Sequence, residues 1–216
     1  MAKIKQGILG GFSGKVANVV GTSWKGRAVM KSQPLSVSNP KTEAQVGQRN
    51  KFSKVAELAS QILTQFVQPV ENPISGDISG YNLFCRDNKT AFDAVGDLVP
   101  ANLVAGGGKI VNLQQAQCNP AEGDSSITLT WTNSADLSAL RKTDKVYAFV
   151  VDADANVLAV ADGSTTRNAQ SVNMQLLAGA EMPESMSYIY VVYACVSADG
   201  REVSVKTAAA DFQVGD

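Results

Sequence analysis

Few residues of this chain could do chemistry, because its 216-residue sequence contains no histidine. The chain therefore has no histidine-based catalytic triad, histidine metal site or histidine pH switch. Cys85, Cys118 and Cys195 are odd in number and far apart, so we expect reduced, packed thiols rather than a metal knuckle or a disulfide framework. The acidic residues are scattered through predicted turns. We predict no catalytic residue, no metal site and no cofactor, and a protein that is not an enzyme.

Three motifs resemble functional loops only in part. GILGGFSGK (7–15) lacks the Walker A pattern, which needs a glycine where Leu9 stands and a hydroxyl residue where Val16 stands. The sequence GFSG is not a nucleophile elbow, and its serine has no histidine base.

The third motif is DADAN, in which Asp152, Asp154 and Asn156 have the spacing of the first three ligands of a calcium loop. Such a loop needs a glycine where Val157 stands and an acid where Gly163 stands, so an EF-hand is excluded. A polar hairpin tip is the favoured interpretation, and weak calcium binding stays open.

Charge is distributed unevenly along the chain. Residues 1–54 contain ten basic residues and one acid, a net charge of +9, whereas the remainder has a net charge of −10. This basic segment could bind nucleic acid, an acidic neighbouring subunit or its own acidic body. Trp24 lies among basic residues, which suits stacking on single-stranded nucleic acid or burial in an interface. The candidate assembly residues are Lys3, Lys5, Phe12, Lys15, Trp24, Lys25, Arg27 and Lys31.

The sequence pattern predicts three regions and an α+β fold. Residues 1–38 are rich in glycine and alternate in polarity, which predicts an extended arm or a bent hairpin. Residues 39–106 are predicted to be helical. Residues 107–216 are predicted to form an antiparallel β-sandwich, because turn signals separate short strand-like segments. The expected strands cover 109–118, 125–132, 145–152, 156–161, 170–177, 187–197 and 202–213.

The most regular predicted element is a helix from Pro40 to Val67, capped by Asn39 and ended before Pro69. A second helix is predicted over 81–95. The apolar residues that recur at helical spacing and define the buried face of the first helix are Phe52, Val55, Ala56, Ala59, Ile62, Leu63 and Phe66.

Two predicted strands, VYAFVV (146–151) and IYVVYAC (189–195), are apolar on both faces. Because a solvated antiparallel sheet alternates, their second face must be covered. Either the helices of residues 40–95 cover it, or another subunit does.

The segments SITLTWTN (126–133) and YIYVVYACVSADGREVS (188–204) resemble strand B and the F–G hairpin of a fibronectin type III-like domain. Trp131 and Tyr188 lie in the aromatic positions of that family. The resemblance implies an Ig/fibronectin type III-like sandwich and, by itself, no activity.

The N-terminal half resembles a second family. GILGGFSGKVANVVG (7–21), WKGR (24–27), SNPKTEAQVGQRNKF (38–52) and ISGYNLF (78–84) are similar to an uncharacterised Bacteroidetes-associated family, with members in crAss-like phages of gut Bacteroides. The resemblance implies no known catalysis and no cofactor, and it points to a virion-associated protein made in the bacterial host cytoplasm.

The leading hypothesis is a non-enzymatic phage virion structural protein, a capsid auxiliary or head-decoration protein that assembles through its basic N-terminal arm. Its partners would be capsid or other virion subunits, with self-association, and nucleic acid is an open alternative. The alternative function is an adhesin-like or carbohydrate-binding surface module that uses the sandwich loops. No apolar run approaches the roughly 20 residues that span a bilayer, so we expect no membrane partner.

Overall fold

A computed structural model describes residues 3–4, 11–24, 26–34, 36, 39–134 and 136–215. The chain forms two compact units, Met1–Lys41 and Thr42–Asp216. Each unit is described by itself, the first as the N-terminal unit and the second as the body.

The N-terminal unit contains a four-stranded antiparallel sheet with its strands in sequence order. A turn at Ala17 and Asn18 joins the second and third strands, and Ala17 has a φ of 48° there. The region 1–38 was predicted to be an extended arm or a bent hairpin, and its described strands form this sheet. The strands are β1 (Lys3–Ile4), β2 (Phe12–Val16), β3 (Val19–Trp24) and β4 (Arg27–Ser32).

The body begins with helix α1 (Glu43–Gln61), which starts three residues later than predicted. Thr42 is its N-cap rather than Asn39, because the Thr42 hydroxyl accepts a hydrogen bond from the Gln45 backbone N–H at 3.4 Å. Thr42-x-x-Gln45 is the pattern of a capping box, and it outweighs the proline signal at position 40.

The helical path also ends later than predicted. A π-helical turn (Leu63–Val67), helix α2 (Gln68–Glu71) and a 3-10 turn (Asn72–Ile74) follow α1. Pro69 is tolerated because it lies in the first turn of α2, where a backbone N–H has no partner within the helix.

The second predicted helix is shorter than expected, since α3 covers Gly80–Asp87. It ends at Asn88, whose side-chain amide donates to the carbonyls of Phe84 and Val104 and accepts from the Val104 N–H. The two bonds with Val104 join the end of α3 to a segment 16 residues further along the chain, and the helix does not continue beyond Asn88.

The remaining strands form three antiparallel sheets. A three-stranded sheet has the order β10-β7-β6, a four-stranded sheet has the order β13-β11-β8-β9, and β12 pairs with β5. The short helix α4 (Ala139–Lys142) and 3-10 turns at Pro100–Asn102 and Arg167–Ala169 lie in the connections. The strands are β5 (Val104–Ala105), β6 (Gln114–Cys118), β7 (Ser126–Thr132), β8 (Lys145–Val151), β9 (Val157–Thr166), β10 (Ser171–Gln175), β11 (Tyr188–Val196), β12 (Thr207–Ala208) and β13 (Ala210–Gln213).

These strands match the predicted segments except at three places, and β5 was not predicted. Strand β9 continues to Thr166, five residues beyond the predicted end at 161. The predicted strand 109–118 begins only at Gln114, because Ile110 forms a separate parallel bridge with Ser204. The predicted strand 202–213 is divided, because Thr207 pairs with Ala105 and the last strand begins at Ala210.

The four-stranded sheet is the middle layer of the body. In β8, Tyr147, Phe149 and Val151 belong to a core shared with α1, the π-helical turn and α3, whereas the alternate residues 146, 148 and 150 belong to a core shared with the three-stranded sheet. The rings of Phe149 and Phe66 meet edge to face, 4.7 Å apart. The helices therefore cover the second face of the sheet, and the change near residue 107 is one of secondary structure within a single compact unit.

Candidate functional site

The sheet of the N-terminal unit has one basic face. Side chains directly opposite one another in an antiparallel pair lie on the same face. Lys15 is opposite Val20, and Val20 is opposite Lys31, so the two lysines flank one valine in a row across three strands. Arg27 and Val29 lie on the same face, because they alternate with Lys31 along β4. We call this set the basic face.

The other face of the same sheet contains no charged residue among the described side chains of β2 to β4. Val16, Val19 and Met30 lie there, and they are 53%, 39% and 70% exposed. Phe12 also lies there, and its ring covers Gly21 so closely that an added Cβ would lie 2.6 Å from it. We call this set the uncharged face.

The structure brings together only some of the predicted assembly residues. Lys15, Arg27 and Lys31 share the basic face, but Phe12 lies on the uncharged face. For Lys3 and Trp24 only the backbone is described, and the register pairs them with Ser13 and Arg27. The remaining two, Lys5 and Lys25, lie outside the described residues.

The spacing of Phe52 predicted a place on the buried face of α1. This prediction is wrong, because the side chain of Phe52 is 60% exposed. The first half of α1 buries only Gly47, which packs on Ala94, and the apolar residues that enter the core begin at Val55. Phe52 instead lies beside an open groove of about 830 Å³ whose lining includes Gln48 and Ser53. Periodicity places a residue on a face but does not tell how far the core extends along the helix.

The body has an acidic groove at the end of the sandwich where the β6–β7 and β10–β11 connections meet. The Glu122 carboxylate accepts a hydrogen bond from the Ser185 N–H at 3.1 Å, which joins two of these connections. The groove has a volume of about 620 Å³. Its lining consists of Glu122, Gly123, Asp124, Ser125, Gln175, Leu176, Leu177, Ala180, Glu181 and Met182.

The calcium-like motif lies at the same end and acts as a turn. The Asp152 carboxylate accepts hydrogen bonds from the backbone N–H groups of Asp154 and Asn156, at 2.9 and 2.8 Å, and from the Asn156 side chain at 2.8 Å. Across the described residues, no group of three or more cysteine, aspartate or glutamate residues could hold a metal ion. The geometry agrees with the hairpin-tip interpretation.

The opposite end of the sandwich holds a buried arginine that the sequence did not single out. Arg167 donates to the carbonyls of Val111 and Asn112 at 2.6 and 3.0 Å, and its own carbonyl accepts from the Trp131 indole at 2.9 Å. Asp144 is buried nearby, and burial raises the pKa of its carboxyl group. Through these hydrogen bonds Arg167 connects the segment before β6 with the buried Trp131 of β7.

Burial raises the pKa values of several titratable groups inside the body. Cys85, Cys118 and Cys195 are free and buried, as expected, and burial raises the pKa of Cys118 to about 11 and that of Cys195 to about 12. These thiols stay protonated and unreactive near neutral pH. Burial raises the pKa of Glu71 to about 7, and its carboxylate accepts a hydrogen bond from the Gly106 N–H at 3.1 Å.

Residues 11–208 of the chain match a family of unknown function, DUF6266. Among solved structures, the chain is similar to one titled "Myokine structure", with 12% identity, 50% of this chain and 99% of the other covered, and a TM-score of 0.34. It is also similar to the chicken CNTN1 FN1-FN3 domains, with 8% identity, 52% and 34% covered, and a TM-score of 0.32. No curated protein matches the sequence. Within the described residues, no helix is both long and apolar enough to cross a bilayer.

Proposed function

The chain belongs to this family of unknown function, DUF6266, and we propose that it is a non-enzymatic structural subunit that docks on a neighbouring subunit through its N-terminal sheet. The observation that carries the proposal is the division of that sheet into a basic face and an uncharged face. A small sheet gains stability when its apolar face packs on another surface. Val16, Val19 and Met30 lack such cover within their own unit.

Charge supports an acidic partner. Residues 1–41 contain seven basic residues and no acid, a net charge of +7, and residues 42–216 have a net charge of −8. Lys15, Arg27 and Lys31 concentrate the positive charge of the described strands on one face. Such a face raises the rate of encounter with an acidic surface and fixes the orientation of docking.

The body is a separate compact unit that contains two packed antiparallel sheets. We propose that its two packed antiparallel sheets form an Ig/fibronectin type III-like sandwich, which the three-plus-four strand order and the buried Trp131 support. This finer assignment adds a scaffold and no activity.

The assembly that we propose is a phage virion, in which the chain would be a capsid auxiliary or head-decoration protein. This part of the proposal is supported by the resemblance of the N-terminal motifs, GILGGFSGK above all, to a family with phage members. The exposed, two-faced sheet is the physical feature that such a role would use.

The proposal is tested by the native mass of the full chain in light scattering. The test variant carries Lys15→Glu, Arg27→Glu and Lys31→Glu, and the matched control carries Lys142→Glu, Lys145→Glu and Arg201→Glu on exposed positions of the body. We expect a defined oligomer for the wild type and the control, and a monomer for the test variant. A monomeric wild type, or a test variant of unchanged mass, would contradict the proposal.

A further inference from the structure

We propose that the acidic groove of a second copy is the surface on which the basic face docks. This inference rests on the proposed function and adds the identity of the acceptor. The subunits would then be joined head to tail, the N-terminal sheet of one copy against the sandwich end of the next.

The acidic groove combines apolar and acidic lining. Leu176, Leu177 and Met182 are partly exposed within it, and Leu177 is 38% exposed. Carboxylates come from two separate connections, Glu122 and Asp124 from one and Glu181 from the other. A groove lined by both apolar side chains and carboxylates favours a partner that offers aliphatic side chains together with cations.

The basic face has this arrangement. Lys15, Val20 and Lys31 form a row across three strands, with the valine in the middle. Two strand spacings separate the lysines, a distance of about 10 Å between their backbone positions. Val29 adds a second aliphatic side chain beside the row, and it is 39% exposed. The face therefore offers both cations and aliphatic side chains to a groove that is lined by both carboxylates and aliphatic side chains.

The charge of the surrounding loops supports this end of the sandwich over the other. The segments 119–125 and 177–187, both of which the structure describes, contain four acidic residues and no lysine or arginine. The opposite end contains Lys109, Arg141 and Arg201 beside its acids. A basic face would meet only acidic charge from these two segments, whereas the cations at the opposite end would partly repel it.

The acceptor is tested with a groove variant that carries Glu122→Gln, Asp124→Asn and Glu181→Gln. The amide oxygens retain the hydrogen bonds that Glu122 and Asp124 accept from the Ser185 and Ala121 N–H groups. The matched control removes the same charge from exposed acids elsewhere, with Glu57→Gln, Asp77→Asn and Asp97→Asn. We expect the groove variant to be monomeric in light scattering and the control to keep the wild-type mass.

Mixing gives the decisive measurement. The groove variant retains its basic face, and the variant with glutamate at positions 15, 27 and 31 retains its acidic groove. We expect equal amounts of the two monomers to form a one-to-one dimer, because the mixture retains one intact basic face and one intact acidic groove. Raising the salt concentration should dissociate that dimer, since exposed charges are screened.

The two proposals fail in different ways. If the groove variant keeps the wild-type mass while the basic-face variant is monomeric, the sheet docks elsewhere and only this inference is overturned. If the basic-face variant also keeps the wild-type mass, the proposed function itself is wrong. If mixing the two monomers gives no dimer although each remains folded by circular dichroism, the head-to-tail contact is overturned.

Discussion

Strands β8 and β4 show how differently the two units treat their surfaces. In β8, six of the seven residues are buried, whereas in β4 all six are exposed. Both strands contain aliphatic side chains, but β8 lies between helices and a second sheet within the body. The N-terminal unit has a single sheet, and the apolar side chains of its strand β4 are exposed, so another molecule can contact them. The body thus buries its apolar strand within its own layers, whereas the N-terminal unit leaves the apolar side chains of β4 exposed.

Truncating a side chain at the centre of the body should have the largest effect on its stability. Phe149 is fully buried and its ring contacts Phe66 and Phe84, at centroid distances of 4.7 and 6.4 Å. We expect Phe149→Ala to lower the free energy of unfolding by about 3–5 kcal/mol, measured by urea denaturation. A loss below about 1 kcal/mol would show that the helical layer does not depend on this contact.

Two glycines allow the tightness of packing in the two units to be compared. Gly163 in the body and Gly26 in the N-terminal unit have φ values of +80° and +78°, so alanine is strained at both. An added Cβ at Gly163 would lie 2.2 Å from the Tyr147 ring, whereas nothing lies within 4 Å at Gly26. In urea denaturation we expect Gly163→Ala to cost about 2–4 kcal/mol and Gly26→Ala no more than about 1 kcal/mol. Equal costs would mean that packing does not distinguish the units.

The stability of the body should depend on pH through the buried acid Glu71. The N-terminal unit has no comparable group, because residues 1–41 contain no acidic residue. Burial raises the pKa of Glu71 in the folded protein from 4.5 to about 7, so the folded state binds its proton more tightly than the unfolded state. The contribution of Glu71 to stability therefore falls as the pH rises through this interval, by up to about 3 kcal/mol, and is constant above it.

Urea denaturation from pH 4 to pH 8 tests this expectation with Glu71→Gln as the comparison. The glutamine retains an acceptor for the Gly106 N–H but does not ionise. We expect the variant to become progressively more stable than the wild type as the pH rises. A difference that does not change with pH would show that Glu71 titrates normally.

The smallest effect on stability is expected at Met30, which is 70% exposed on the uncharged face. We expect Met30→Ala to change the free energy of unfolding of the body by less than about 0.5 kcal/mol. The same substitution should shift the oligomer towards monomer at low protein concentration in sedimentation velocity, because it removes apolar area from a face that we expect to be covered in the assembly. Unchanged association would place the uncharged face outside every interface.

The strands of the body were predictable because their signals are local. Alternation within β7 and turn residues such as Asp199 and Gly200 need no information about distant parts of the chain. Helix α1 was located, but its start was misplaced because Pro40 and Thr42 both resemble starting signals. Only the hydrogen bond to Gln45 decides between them.

The candidate site was predictable only in part. The basic residues were recognised as candidates. Their common face, however, depends on the pairing of Val20 with both lysines, which the sequence does not show. Glycines also obscure the alternation of polarity in these strands. The acidic groove joins residues about 60 positions apart, which no local pattern connects. Arg167 was missed because a single arginine among threonines and asparagines gives no sign that its charge is buried.

Strand β8 also bears on how the chain selects one strand pairing over its near alternatives. A strand that is apolar on both sides has no polar stripe to mark which way it faces, so a slip of one residue would not expose apolar side chains to water. Side-chain volume carries that information instead: Tyr147 and Phe149 point towards the helices, and Ala148 points towards the other sheet. A slipped strand would leave a void beneath the helices and a steric overlap on the opposite side. The fidelity of β8 pairing is thus determined by size rather than by polarity.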